Sequence, residues 1–416
     1  MTNTNGMSPF FSGRDNDILS GESTRDPLGL LPIWSTVGHG LIPGLASIVT
    51  QIDGVQGILF LYTCLDELKA KVDSGAGKYS FRENLVLQFL ERLWEYHLFD
   101  ETGKPCFGIT SLSGADFQLT TARAGVVGTG LRQYYRGTCK NKGILSDNLK
   151  TLTAPYKTLT KGLSTEKVVN WMVARESELL QSNYSVSAAE VYKELGEELK
   201  EFSKGTEQLW EKLQSSLVDD HGKKVWLDQL ITDNKNFAEV PVPQLVAQVQ
   251  TYANKNQNDE LSRKCQRILD CEPFLQVLES VFLIVQQHGR SALSAIVQNM
   301  KENPPKDLSH VCLSFQNISS SSKRLTHLKE LALKLYQGQY EEFLREFLNV
   351  YYATLCNERG RSPIVYLDGN DILALKPNDV SVKWSACTSN WGNGYFIKTQ
   401  LKLYQDLIKR LEALNG

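Results

Sequence analysis

Apolar residues recur at three- and four-residue spacing in segment after segment of this chain. That periodicity argues for a mainly helical fold, because only a helix gathers such positions onto one side. Phe81, Leu85, Phe89 and Leu93 recur every fourth residue in a helix expected to end near Phe99. Val191, Tyr192, Leu195, Leu199 and Phe202 give another apolar surface, with Glu194, Glu197, Glu198, Lys200 and Glu201 on its solvated side. Phe274 to Val285 is apolar enough to be buried, and Tyr340, Phe343, Leu344, Phe347, Leu348, Tyr351 and Leu355 line a long helix expected over Leu328 to Leu355. With 41% hydrophobic and 22% charged residues, these faces can close a core without disulfides or metals.

Breaks in the pattern suggest the organisation. The 416 residues are enough for two or three domains. Residues 1–24 are rich in Asn, Ser, Gly and Asp, with neither the basic start nor the apolar core of a targeting peptide, and read as a disordered tail. Asp26 to Gly57 is apolar but full of Gly and Pro, so it reads as an irregular cap with short helices before a helix from Ile58. Pro32, His39, Pro43 and Asp53 interrupt the most apolar stretch, leaving it short of the roughly 20 unbroken residues of a membrane span. Asn303-Pro304-Pro305 and Ser319 to Ser322 bracket a linker, and the turn Asp368-Gly369-Asn370 between apolar runs predicts a small β-hairpin near the C-terminus. The expected division is therefore a tail (1–24), a helical domain with a winged-helix-like character (25–165), a helical domain (166–300), a linker (301–326) and a C-terminal helical domain carrying the hairpin (327–416).

The winged-helix-like expectation comes from residues 129–163. A helix ends at Gly143, a natural left-handed cap. Ile144-Leu145 and Leu149 to Leu152 can pair across Ser146-Asp147-Asn148, and a second helix starts near Ala154-Pro155. This order is that of a groove-entering helix followed by a wing. The same region is basic: eight Lys and Arg stand between Leu119 and Thr165 against Asp147 alone, in a chain whose net charge is -2. Arg132, Arg136 and Lys140 are four apart on one helix face, and Lys142 and Lys150 flank the turn. Phosphate contact is the functional reading of these five residues, with Tyr134 or Tyr135 available for stacking. The plainer reading makes them solvated residues, or a docking face for an acidic protein.

Catalytic patterns are not found. Ser74 to Ser80 and Gly125 to Gly130 lack the glycine spacing of phosphate-binding loops. His39, His97, His221, His288, His310 and His327 form no metal-ligand spacing, so no metal and no cofactor are expected. Asp368, Asp371 and Lys376 approach a metal-dependent nuclease motif, but Ala374 stands where the second carboxylate belongs. The eight cysteines contain no CxxC pair, which suits a reducing cytoplasm.

Asp26-Pro-Leu-Gly29, Leu41-Ile-Pro-Gly44, the helix with Leu85 to Trp94, Gln133-Tyr-Tyr-Arg136, Gly143-Ile-Leu145 and Leu152-Thr153 together resemble a group of bacterial proteins found in anti-phage defence gene clusters. The resemblance covers mainly residues 26–163, and the group has no established catalytic residues. It implies a cytoplasmic subunit working beside a separately encoded ATPase or nuclease. The expected function is a non-catalytic accessory or scaffold subunit of an anti-phage or anti-plasmid complex, with DNA as a further partner and no membrane. A metal-dependent nuclease effector and a winged-helix transcriptional regulator are the alternatives.

Overall fold

Among the described residues, helices make up most of the fold, with two small antiparallel sheets. The structure is a computed structural model, and it describes residues 26–74, 83–103, 117–120, 130–179, 181, 184–218, 221–287, 289–319, 322–375, 377, 381–389 and 391–415. The expected tail (1–24) lies outside these residues, as do most of both glycine segments and Lys376. Among the described residues, no helix is long and apolar enough to cross a membrane.

The chain divides into two compact units. One joins the described residues up to Pro43 to Val240–Tyr395, and the other joins Gly44–Glu239 to Phe396–Gly416. This grouping differs from the sequential division into 25–165, 166–300 and 327–416. The reason is pairing between distant helices: Leu31–Leu41 packs against Asp259–Gln286, and Ile397–Asn415 packs against Glu207–Val218. Periodicity identifies faces and is silent on which faces meet.

In the Gly44–Glu239 unit the central element is the helix Ile52–Ser74. Val55, Ile58, Leu59, Phe60, Leu61, Cys64 and Leu65 are all buried, so it is apolar nearly all round, the signature of an enclosed helix. It starts earlier than expected because Gly54 and Gly57 lie inside it and serve close packing. A Cβ would fall 2.2 Å from the Tyr135 ring at Gly54 and 2.6 Å from Trp94 at Gly57. Phe60 stacks on Trp94 at 5.0 Å, with Phe202 edge-on to both. Ala in place of Gly normally favours a helix by about 0.5–1 kcal/mol. Gly54→Ala is expected to do the opposite, losing about 1–3 kcal/mol through overpacking against Tyr135. A urea titration decides by sign: a raised midpoint would mean that Tyr135 does not fill this notch.

Closure of this unit depends on its last helix. In Ile397–Asn415 the Tyr404 hydroxyl donates to Asp228 Oδ1 (2.6 Å), Lys398 Nζ to the Ala238 carbonyl (2.7 Å) and Thr399 Oγ1 to the Ser47 carbonyl (3.0 Å). Gln118–Thr120 also pairs with Ser185–Ser187, a two-stranded sheet the sequence pattern did not indicate.

The other unit is organised by Asp259–Gln286, a 28-residue helix capped by Asn258, whose Oδ1 accepts the Leu261 N–H at 3.0 Å. The expected linker 301–326 is not one. It contains the helix Leu308–Gln316, whose Leu308, Val311, Cys312 and Phe315 are buried, with Phe315 4.5 Å from Phe274. The flanking prolines and serines mask this short amphipathic face. The single helix expected over Leu328 to Leu355 is divided at Gly338, which takes a left-handed φ of 73°. Lys323–Tyr336 precedes the turn, and Tyr340–Glu346, a π-helical segment Phe347–Tyr352 and Ala353–Glu358 follow it. The hairpin is present as Val365–Asp368 with Asp371–Ala374, turning through Gly369 at φ 63°. Arg290–Ala292 adds a third strand beside Asp371–Ala374.

Candidate functional site

The basic face is built on the helix Leu131–Asn141, whose Leu131, Tyr135, Thr138 and Cys139 face the core. Gly143 follows at φ 68°, the left-handed position expected of it. The two short strands expected next reduce to one antiparallel bridge, Leu145 to Leu152. Backbone bonds from Ser146 to Thr151 (2.9 Å) and from Thr153 to Ile144 (3.0 Å) close it. Pairing stops there because the turn winds tightly: Leu149 is left-handed at φ 59°, and Asn148 Oδ1 accepts the Lys150 N–H at 3.0 Å. The turn is tied down when the Tyr62 hydroxyl donates to the Leu149 carbonyl (2.9 Å). The helix Ala154–Thr160 begins directly after it.

On this frame the five basic residues separate. Arg136 and Lys150 are exposed, while Arg132 and Lys140 are half-buried. Lys140 lies 3.8 Å from Asp147, whose side chain is fully exposed, and a pair of that kind contributes little. Lys142 is only 6% exposed, so it does not belong to an accessible phosphate-binding set. The cap turn after Asn141 folds it inward. Tyr135 is fully buried beside Gly54 and unavailable for stacking, whereas Tyr134 is half-buried. Burial raises the Tyr62 phenol, and Arg132 and Arg136 pull it back down, which places both guanidinium charges near this helix face.

The N-terminus of the same helix is already occupied by carboxylates. Glu91 Oε1 accepts the Arg132 N–H at 2.7 Å and Glu95 Oε1 accepts the Leu131 N–H at 3.3 Å, satisfying two N–H groups that have no partner within the helix. Burial raises the pKa of Glu91 and, with the Glu91 charge second, pushes Glu95 up to about 8. Arg92 lies between them and donates from Nη1 to the Gln118 carbonyl at 3.0 Å. The two glutamates take these helix-end N–H groups, which leaves Arg136 and Lys150 as the exposed cations of the set, with Lys140 and Arg132 half-buried.

Lys157 and Lys161, further along the basic stretch, line an open cavity of about 400 Å³ together with Asp66 and Glu67. Lys157 lies 3.0 Å from Asp66, so the positive field weakens on that side.

In the nuclease-like alternative, one of the two carboxylates, Asp371, is ion-paired. Arg290 Nε donates to Asp371 Oδ2 at 2.9 Å, and Nη2 reaches the same oxygen. Among the described residues, His39 Nδ1 lies 3.1 Å from the Ile42 carbonyl, and His97 and His327 have partners that spacing does not reveal. His97 is 1% exposed, has Nδ1 3.0 Å from the Tyr192 hydroxyl, and is pushed down by burial to about 4. His327 has Nε2 3.2 Å from Glu346 Oε1. His288 and the side chain of His221 lie outside the described residues.

No protein-family model matches the chain, and neither a curated protein nor a solved structure matches it.

Proposed function

We propose that this chain is a non-catalytic accessory subunit of a multi-protein bacterial defence complex. In this reading it contacts nucleic-acid phosphates through a winged-helix-like element, the Leu131–Asn141 helix and the turn 146–151. One observation carries it: Arg136 and Lys140 lie one turn apart on that helix, Lys140 reaches Asp147 in the turn at 3.8 Å, and Arg136 and Lys150 are exposed, in the most basic stretch of a chain with net charge -2. The resemblance of residues 26–163 to proteins of anti-phage gene clusters supplies the context, a cytoplasmic assembly with a separately encoded ATPase or nuclease. Contacts of this type position a protein on the backbone and select no base sequence.

The triple variant Arg136→Glu, Lys140→Glu, Lys150→Glu tests the reading while sparing Arg132, whose backbone is tied to Glu91. Fluorescence anisotropy with a duplex oligonucleotide is expected to show wild-type affinity falling steeply with salt. The variant should bind at least about tenfold more weakly, with a salt slope lowered by about 0.9 for each phosphate contact removed. Equal affinity and slope would remove nucleic acid from the function.

A further inference from the structure

Three ligand-bearing side chains converge far along the sequence from the basic face, in the unit containing Val240–Tyr395. His327 and Glu330 are one turn apart on the helix Lys323–Tyr336, and Glu346 ends the helix Tyr340–Glu346 that packs against it after the turn at Gly338. Nε2 of His327 lies 3.2 Å from Oε1 of Glu346, and one ligand atom from each of His327, Glu330 and Glu346 lies within 4.8 Å of the others. Atoms sharing one ion at about 2.0–2.2 Å stand about 3–3.5 Å apart, so small rotamer changes close the set around a cation.

Two further features suit an ion. The segment directly after Glu346, Phe347–Tyr352, is π-helical, a geometry concentrated at functional sites. A cavity of about 530 Å³, lined by Arg324, His327, Tyr351, Thr354 and Glu358, lies beside the imidazole. Three protein ligands leave at least one coordination position open, and the cavity gives water or a small ligand room to take it.

We propose that His327, Glu330 and Glu346 form a binding site for a first-row divalent transition ion, Zn²⁺ or Mn²⁺, with an open position at this cavity. The imidazole separates such ions from Mg²⁺ and Ca²⁺, which take all-oxygen sets. Lys334 tunes the site. Its Nζ lies 3.1 Å from Oε2 of Glu346, leaving the other oxygen, the one beside His327, for the ion. Its ammonium charge opposes metal entry, so the site is expected to bind more tightly when that charge is removed.

Calorimetric titration of the chelator-stripped full chain with Zn²⁺ and with Mn²⁺ is the test. One equivalent is expected to bind with a dissociation constant of about 1 μM or tighter for at least one ion. His327→Gln and Glu346→Gln, which keep size and polarity, should each weaken binding at least about tenfold, and Lys334→Met should tighten it several-fold. Circular dichroism of each variant separates loss of the site from loss of the fold. Absence of binding by both ions overturns the proposal. So does an equivalent retained unchanged in His327→Gln and Glu346→Gln, or thiolate absorbance in the Co²⁺-loaded chain, which would place the ion on cysteines.

Discussion

Glu272→Ala is expected to destabilise the chain by about 2–4 kcal/mol, through the donors it leaves without an acceptor and the space it opens beside them. Glu272 is fully buried in the Asp259–Gln286 helix. Its Oε1 accepts the N–H groups of Gly392 (2.7 Å) and Asn393 (3.1 Å) and Nε2 of Gln276 (2.9 Å), while Oε2 accepts the Tyr395 hydroxyl (2.6 Å). Burial raises its pKa, and the Tyr395, Gly392 and Asn393 bonds oppose that rise. Four donors and no acceptor is the setting of an ionised carboxylate. Truncation leaves the buried Tyr395 phenol without its acceptor, at about 1–3 kcal/mol, and releases the partly buried Gly392 and Asn393 N–H groups, which cost less because water can reach that loop. It also frees a loop in which Tyr395 holds a left-handed φ of 45°, a conformation that disfavours side chains. Glu272→Gln retains one acceptor oxygen and should lose less than the Ala variant. Urea titration followed by tryptophan fluorescence measures both, with Trp391 in the affected loop. A loss below about 1 kcal/mol for Glu272→Ala would show that the loop is held by packing instead.

Local features were legible in the sequence and pairings were not. The helix stop at Gly143, the Asp-Gly turn of the C-terminal hairpin and the mainly helical class follow from backbone geometry and periodicity, which act over a few residues. Gly54 and Gly57 read as breaks because a glycine's role inside a helix depends on what packs there, and Tyr135 and Trp94 are distant in sequence. Leu308–Gln316 read as a linker because four buried residues over two turns are a weak signal between prolines and serines. The basic stretch was visible as charge, yet only the fold separates buried Lys142 from exposed Arg136 and Lys150. His327 stood just ahead of the helix expected from Leu328, and the helix in fact starts at Lys323 and places Glu330 one turn beyond it. Glu346 completes the set only through the turn at Gly338, which the aromatic stripe concealed.

Raising the pH from about 4.5 to 8 should cost the wild-type chain stability that Glu95→Gln retains. In the unfolded chain Glu95 ionises near its ordinary value of 4.5, whereas in the fold burial and then the Glu91 charge hold it protonated until about 8. Between those values the unfolded chain carries fewer protons than the native one, so stability falls as pH rises and levels off above about 8. A shift of this size corresponds to as much as about 5 kcal/mol. The Gln variant keeps an oxygen to accept the Leu131 N–H and has no proton to lose. Its advantage over wild type should therefore be larger at pH 8 than at pH 5. That difference isolates Glu95 from Glu279, which burial and then the Glu272 charge push up to about 7, and whose contribution both proteins share. His97 works in the opposite direction. Its folded value near 4 lies below the ordinary 6.5, so acidification through that window protonates the unfolded chain first and lowers stability. The wild-type optimum should fall between these opposing slopes, and Glu95→Gln should move it upward. A stability difference between the two proteins that is constant from pH 5 to 8 would show that Glu95 ionises normally in the fold. The cap on the helix bearing Arg132, Arg136 and Lys140 would then be a charged pair with Glu91, insensitive to pH over this range.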